Sequence, residues 1–291
     1  MTDGEHLEDA FSLLANETRL RIIEAIGDAS GGGEYAVLSH RTLRDALGVR
    51  DTGNLNYHLR QLRDRFVERV DEGYQLTIPG IRVYQAILSG SFGPDHHQVP
   101  PAPVDEECLR CAERMCVRYE GARYYLGCEA CGWTHTRYPL PPNAFDPEDP
   151  ESLWLAGRRQ AQCALRTFVS GICPYCSGPV RSDFIDESHT EGLNDDTFAH
   201  LECTHCHWYH HTPMVSLALH YPVVRTFHER RGVSTDPYPG VFDGDAECEV
   251  LSRDPWRVAV TYDLADDSLR VVVDGTLDVV DRFFSEHVSS I

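Results

Sequence analysis

The sequence contains no lysine: all 26 basic residues are arginine, set against 46 acidic residues, and the formal net charge is −20. A surplus of acidic groups ordinarily argues against a nucleic-acid partner. An acidic chain without lysine is, however, typical of halophilic proteins, which work in molar salt where the Debye length falls to about 3 Å. We therefore attribute the net charge to the solvent and draw no conclusion about partners from it.

Long apolar runs are also missing. No stretch is apolar enough to cross a bilayer, and the polar, acidic first residues do not resemble a signal peptide. The sequence therefore predicts no membrane partner. With 291 residues, the chain has room for two or three domains, each with its own core.

Motifs of catalysis are absent as well. We find no Ser-His-Asp spacing, no glycine-rich phosphate loop and no metal motif with an open coordination position. The sequence therefore does not predict an enzyme.

Cysteine is absent before position 108, and eight of the eleven cysteines then form four Cys-x-x-Cys pairs. Paired cysteines of this kind indicate metal binding in a reducing interior and not a secreted disulfide framework. We therefore expect a cytoplasmic protein.

Residues 39–77 predict a helix, a tight turn, a second helix and a β-hairpin. Ser39 is a typical N-cap residue, and Leu43, Ala46 and Leu47 form an apolar stripe that Gly48 ends. Asp51 or Thr52 caps the second helix. Its apolar positions fall on one side of the helix and form a seam that faces the core; they are Leu55, Leu59, Leu62 and Phe66.

The pattern continues with two short strands, 66–70 and 73–77, around an Asp-Glu-Gly turn. Helix, turn, helix and wing is an arrangement that lays one helix in the major groove of DNA. The same arrangement also occurs in small helical cores that bind no DNA, and this alternative stays open.

The outward face of the second helix carries side chains that can contact bases and phosphates. Residues 41–70 hold seven arginines against four acidic residues, a local charge of +3. His58 lies near the apolar seam and is expected to be packed. The predicted base contacts come from Arg60, Asn56, Asn54 and Tyr57, the predicted backbone contacts from Arg50, Arg63 and the wing residue Arg69, and the DNA-binding set also includes Thr52 and Gln61.

Further helices flank this motif. The pattern predicts helices at 5–15 and 17–28, and another that begins near Pro79 and ends near Leu88. A short extended piece before Ser39, residues 35–38, can pair with the wing. The last of these helices carries more apolar residues than one small core needs, so we expect it to form a homodimer surface together with the first.

Two segments resemble ArsR-type winged helix-turn-helix regulators. Residues 14–23 (LANETRLRII) look like the second-helix signature of that family, and residues 51–62 (DTGNLNYHLRQL) are similar to the recognition helix of its haloarchaeal branch. The resemblance covers roughly residues 5–90 and implies a homodimer that places one recognition helix on each half-site. Because no cysteine precedes position 108, it does not imply metal sensing by this domain.

After the DNA-binding domain, predicted at 1–93, a Gly/Pro-rich stretch predicts a linker over 94–104. The rest, 105–291, is predicted to be a double zinc-ribbon domain with ribbon one at 105–140 and ribbon two at 170–212. Each Cys-x-x-Cys pair is a knuckle of a ribbon. Sixteen residues separate the two knuckles of ribbon one and twenty-six those of ribbon two, and such spacings suit a β-hairpin, which in ribbon one would span 117–126. The predicted ligands of two Zn²⁺ per chain are Cys108, Cys111, Cys128, Cys131, Cys173, Cys176, Cys203 and Cys206.

Zinc with four thiolates has no open position for water, so we expect structural metal. Iron in a rubredoxin-like site or a redox dithiol remain alternatives. The unpaired Cys116, Cys163 and Cys248 are expected to be small buried residues, and a sensing thiol among them remains an alternative. The histidines at 205, 207, 210 and 211 are expected at the surface or behind the ligands, and a role as a substitute metal ligand remains an alternative. His207 replaces the usual knuckle glycine, which predicts a looser turn.

The remaining pattern predicts helices at 151–169 and 214–230 and a terminal hairpin of strands at 257–264 and 268–273, which 276–284 could extend. The fold class is therefore α+β: an N-terminal winged helix-turn-helix and a C-terminal domain of two zinc ribbons, packing helices and a terminal β-hairpin. This second half resembles the zinc-ribbon half that haloarchaeal ArsR-like proteins often carry.

The leading functional hypothesis is a sequence-specific transcriptional regulator that binds double-stranded DNA as a homodimer. Its C-terminal domain would serve dimerisation, ligand sensing or protein contacts, and an unknown small-molecule or protein effector is a candidate partner. The alternative is an adaptor whose zinc ribbons bind a protein or RNA partner.

Overall fold

The computed structural model describes residues 3–30, 36–93, 98–108, 110–185, 197–233, 235 and 246–285. These residues form eight α-helices and four antiparallel sheets, so the fold is mixed α+β as predicted. The chain divides into two compact units. Unit 1 contains 1–96 and 141–144, and unit 2 contains 97–140 and 145–291. In the described residues, no helix is long and apolar enough to cross a membrane.

Unit 1 consists of five helices and one hairpin. Its elements are α1 (Asp3–Leu14), α2 (Glu17–Asp28), α3 (His40–Leu47), α4 (Thr52–Leu62), β1 (Val67–Val70), β2 (Gly73–Leu76) and α5 (Ile78–Leu88).

Local sequence signals set the ends of these helices. The Ser39 side chain accepts from the backbone N–H of Thr42 at the start of α3, and Gly48 ends that helix with a φ of 64°. Asp51, and not Thr52, caps α4 by accepting from Gly53 at 2.8 Å and Asn54 at 3.4 Å. The caps therefore fix the turn between the two helices.

The core of unit 1 is the predicted apolar seam. The four seam residues of α4 and its extension are buried, and they pack with Ile22, Ile23 and Ile26 of α2 and with Leu43 of α3. The structure corrects the stripe on α3, because Ala46 is exposed while Leu43 and Leu47 are buried. Ala46 lies at the edge of a helix that buries only a narrow face.

The segment before Ser39 pairs with the hairpin, as predicted. Leu38 and Tyr74 exchange backbone hydrogen bonds of 2.9 Å, which adds an isolated bridge beside β2. Residue 35 of this segment and residues 94–97 of the predicted linker lie outside the described residues.

The first sheet of unit 2 has the order β3-β4-β5-β6, with strands β3 (Val99–Glu107), β4 (Arg114–Glu120), β5 (Arg123–Gly127) and β6 (Thr134–Pro139). The linker prediction is therefore wrong for 99–104, which forms most of β3. The prolines there are tolerated because β3 is an edge strand and one of its sides needs no N–H donors. Val99 and Val104 are buried, so this segment contributes to the core.

Helix α6 (Pro150–Val169) follows a short 3₁₀ turn at Pro142–Ala144 and buries Leu153 and Trp154 against the first sheet. The second sheet has the order β7-β8-β9, with strands β7 (Val180–Ile185), β8 (Phe198–Cys203) and β9 (Tyr209–Pro213).

The helix predicted at 214–230 is two helices, α7 (Met214–Ala218) and α8 (Pro222–Glu229). Pro222 explains the correction: it lacks an N–H and its ring clashes with the preceding turn, so it begins a helix instead of continuing one.

The terminal hairpin is also larger than predicted. A four-stranded antiparallel sheet contains β10 (Ala246–Arg253), β11 (Trp256–Leu264), β12 (Asp267–Asp274) and β13 (Val279–Ser285) in chain order. The predicted pair is its centre. One face of this sheet shares a core with α7, α8 and the second sheet, including Val258, Val260, Tyr262 and Leu217.

Candidate metal centres and candidate nucleic-acid interface

The four Cys-x-x-Cys turns have one common backbone geometry. In each, the N–H of the residue after the second cysteine donates to the carbonyl of the first cysteine at 2.8–3.0 Å. That residue adopts a left-handed φ at every turn: 58° at Ala112, 72° at Gly132, 58° at Ser177 and 58° at His207. The prediction of a looser turn at His207 is therefore wrong, because its hydrogen bond and φ match those of the other three.

These turns bring the eight predicted cysteines into two groups of four. In each group the sulfur atoms all lie within 4.8 Å of one another. We name them tetrad 1 (Cys108, Cys111, Cys128 and Cys131) and tetrad 2 (Cys173, Cys176, Cys203 and Cys206). All eight cysteines are free, so neither tetrad contains a disulfide.

The sulfur separations suit a tetrahedral metal ion. In tetrad 1 the sulfur atoms of Cys111 and Cys128 lie 3.5 Å apart and those of Cys108 and Cys131 lie 3.7 Å apart. Tetrad 2 gives 3.4 Å (Cys176–Cys203) and 3.7 Å (Cys173–Cys206). Four bonds of ~2.3 Å in a tetrahedron place sulfur atoms about 3.8 Å apart. Both tetrads could therefore hold one metal ion after shifts of a few tenths of an ångström.

Backbone N–H groups aimed at sulfur favour the thiolate form. Hydrogen bonds, first from the N–H of Cys206 and then from that of His205, lower the pKa of Cys203 to about 6. In tetrad 1 the N–H of Cys131 acts first in the same way and lowers the pKa of Cys128 to about 7. One thiolate per tetrad is thus available near neutral pH without a cation.

Their neighbours show the opposite shift. The N–H of Glu113 lowers the pKa of Cys111, but desolvation and hydrogen bonds to the other three thiols outweigh it and raise that pKa to about 12. The N–H of Gly178 likewise lowers the pKa of Cys176, but the hydrogen bond to Cys203 and desolvation outweigh it and raise that pKa to about 12. A second negative charge at this distance requires a bound cation, so metal binding and loss of protons are coupled.

Each tetrad lies at the edge of a core. The first cysteine of every knuckle is buried and the second is exposed. In the described residues, the groups of three or more side chains that could hold a metal ion consist of cysteine alone, so no histidine joins either tetrad. His205 and His207 are exposed, as predicted, while His210 and His211 are half-buried.

The unpaired cysteines differ from the prediction of small buried residues. Cys163 is exposed on α6, and Cys116 and Cys248 are half-buried. The prediction is wrong for Cys163 because position 163 falls on the solvent side of α6, between the exposed Arg159 and Arg166.

The second candidate surface is the outward side of α4. All nine residues predicted to bind DNA are exposed: Arg50, Thr52, Asn54, Asn56, Tyr57, Arg60, Gln61, Arg63 and Arg69. Tyr57 keeps 50% of its surface accessible although it is a large aromatic residue. By contrast, His58 is 8% exposed and its pKa is lowered by burial and then by the nearby Arg19. The packed role predicted for His58 is confirmed.

The arginines of this surface have few intramolecular partners. Within the described part of the chain, Arg50, Arg60 and Arg69 make no side-chain hydrogen bond or ion pair, and Arg63 contacts only its exposed neighbour Asp64 at 3.4 Å. Such ion pairs contribute little and are readily exchanged. The side chains can therefore contact an external anion without breaking internal structure.

The sequence analysis missed one cluster. His200 of β8 lies directly opposite His211 of β9, and Glu202 lies beside His200 on the same face. The alternation His-x-Glu in β8 was the available signal, but the cross-strand register that pairs the two histidines is not visible in the sequence.

Comparisons with known proteins identify families but no activity. A model described as Domain of unknown function (DUF7347) matches residues 7–87. A second model, described as Domain of unknown function (DUF7351), matches residues 105–279. No curated protein and no solved structure matches the chain. Because the second match covers more than half of the 291 residues, the chain belongs to the family described as Domain of unknown function (DUF7351).

Proposed function

We propose that this protein is a sequence-specific transcriptional regulator that binds double-stranded DNA. In this proposal α3, the turn and α4 act as an ArsR-like helix-turn-helix, the β1–β2 hairpin is its wing, and α4 enters the major groove. The single observation that carries the proposal is the exposed polar side of α4, which has polar and cationic side chains where the core gives no reason for them.

The side chains divide by their chemistry into two roles. Arg60 can make two parallel hydrogen bonds to guanine, and Asn54 and Asn56 can do so to adenine. Arg50 and Arg69 extend from the turn and the hairpin, where a DNA backbone would run, and we assign them to phosphates together with Arg63.

We further propose that the protein acts as a homodimer. Leu7 and Phe11 lie four residues apart on α1 and are 59% and 66% exposed. On α5, Ile78 and Leu88 are 72% and 52% exposed. Apolar side chains exposed to this extent favour a second subunit, which would supply a recognition helix to the second half-site.

The two tetrads would hold one Zn²⁺ each, with eight thiolate ligands in total. Bound zinc would supply structural cross-links and, with all four positions filled by sulfur, no site for an activated water. Thiolate tetrads persist in reducing surroundings, which favours the cytoplasm.

The net charge of −20 weakens binding at low salt, because the rest of the chain repels DNA. In concentrated salt this repulsion is screened and counterion release contributes little. We therefore expect base contacts to provide most of the specificity.

The proposal can be tested with the full-length, zinc-loaded protein. Fragments of genomic DNA that the protein retains in concentrated salt would be sequenced, and the recovered motif would be labelled for a fluorescence anisotropy titration. Arg60→Ala should weaken binding to this motif by about 1–3 kcal/mol, roughly 5- to 150-fold, if Arg60 makes a bidentate base contact. Binding to unrelated duplexes should change much less.

Arg123→Ala is the matched control, since it removes the same charge from an exposed position on β5 in unit 2. It should leave affinity unchanged. If Arg60→Ala binds normally, or if Arg123→Ala alone abolishes binding, the surface of α4 is not the interface. The second result, with RNA as the better competitor, would favour the zinc-ribbon adaptor.

A further inference from the structure

One face of the second sheet carries a cluster of imidazole and carboxylate groups. In β8, Ala199, Leu201 and Cys203 are buried, so His200 and Glu202 point away from the core. In β9, the same alternation turns Tyr209 and His211 outward. The strand register places His200 opposite His211 and Glu202 opposite Tyr209.

The two histidines are close enough to share a ligand. Nδ1 of His200 lies 2.7 Å from Nε2 of His211, a hydrogen-bond distance, with the ring centroids 4.8 Å apart. A metal ion bound between the two rings would replace this hydrogen bond. A divalent transition metal in a tetrahedral site, with two bonds of ~2.0–2.1 Å to imidazole nitrogens, holds those nitrogens about 3.3 Å apart. An increase of about 0.6 Å in the distance between the two nitrogens would therefore admit an ion between them.

A carboxylate lies behind the first histidine. The other ring nitrogen of His200, Nε2, is 3.6 Å from Oε2 of Glu202. Glu202 is held in place by Arg181, whose Nε donates to it at 3.1 Å. A proton on Nε2 that faces this carboxylate leaves the lone pair of Nδ1 directed at His211. Metal-binding histidines commonly have this arrangement, in which a carboxylate fixes the tautomer and makes the imidazole more basic.

We propose that His200 and His211 form a third metal site, which binds a divalent transition cation such as Zn²⁺ or Ni²⁺ and is supported by Glu202. Imidazole ligands favour these ions over Mg²⁺ and Ca²⁺, which take oxygen. Two protein ligands leave the other coordination positions to water. The ion is therefore bound more weakly than in the tetrads and exchanges with solvent, and the site does not depend on the DNA-binding function.

Calorimetric titration of the full-length protein, with both tetrads already filled by zinc, tests the site. Added Zn²⁺ should bind as one further ion per chain. His200→Ala and His211→Ala should each weaken this event by at least tenfold, and Glu202→Gln by about 10- to 100-fold. His205→Ala, an exposed histidine on the neighbouring turn, should bind as the wild type does.

A spectroscopic readout distinguishes this site from the many other histidines. In NMR spectra of the side chains, the imidazole signals of His200 and His211 should shift together at the same added zinc concentration. Each variant should retain two tightly held zinc ions, which shows that it is folded. The proposal is overturned if no ion beyond two binds, or if the further ion binds equally well to the His200→Ala, His211→Ala and His205→Ala variants.

Discussion

The N-cap of α4 offers a direct test of how the sequence sets the turn between α3 and α4. Asp51 contributes in two ways. Its carboxylate accepts a hydrogen bond of 2.8 Å from the N–H of Gly53 and a weaker one of 3.4 Å from that of Asn54. Its negative charge also lies at the positive end of the helix dipole. Loss of the cap costs about 1 kcal/mol, and loss of the charge about 0.3–1 kcal/mol at low salt.

Two substitutions separate these contributions. Asp51→Ala removes cap and charge, so it should destabilise unit 1 by about 1–2 kcal/mol at low salt and by about 1 kcal/mol when salt screens the dipole. Asp51→Ser removes the charge but keeps a capping oxygen, so it should cost less than 1 kcal/mol at low salt and almost nothing in molar salt.

The chain provides separate signals for the two units. All four tryptophans, Trp133, Trp154, Trp208 and Trp256, are in unit 2, so tryptophan fluorescence reports on that unit alone. The helical circular dichroism signal includes the five helices of unit 1. For a unit of this size, 1 kcal/mol shifts the melting temperature by about 4–8 °C. Asp51→Ala should lower the melting temperature of the transition seen by circular dichroism and leave the melting temperature seen by tryptophan fluorescence unchanged. Equal melting temperatures for the Ala and Ser variants in molar salt would refute the reasoning.

Three further predictions concern unit 2. Gly157→Ala would place a Cβ against the ring of the buried Tyr124, closer than side chains pack, so it should destabilise the unit by about 1–3 kcal/mol in denaturant titrations followed by tryptophan fluorescence. Leu155→Ala, at an exposed site on the same helix, should cost less. His207→Gly relieves a left-handed φ of 58° and should stabilise the unit by up to ~1 kcal/mol; a loss of stability would contradict this. Elemental analysis should find two zinc ions per chain, one fewer in Cys203→Ser, and still two in the control Cys163→Ser.

Signals that act over a few residues were readable from the sequence. Ser39, Gly48 and Asp51 set helix ends through hydrogen bonds to backbone groups within four positions. The cysteine spacing gave both tetrads, because each Cys-x-x-Cys turn is a closed local structure. Exposure of the α4 surface followed from helical periodicity alone.

Other features needed the tertiary structure. Residues 99–104 are rich in proline and look like a linker. In the structure they pair with β4 and form part of the edge strand of the first sheet. Cysteine is a residue type that is usually buried, which is why the sequence predicts a buried Cys163. Only the packing of α6 decides which side of that helix faces solvent.

The sequence by itself therefore determined the helix ends, the two cysteine tetrads and the polar side of α4, since each depends on neighbours along the chain. Only the tertiary structure decided the four-stranded terminal sheet and the pairing of His200 with His211. The physical reason is strand register: the side-chain period of two shows which residues share a face, but packing and turn geometry choose which residue stands opposite.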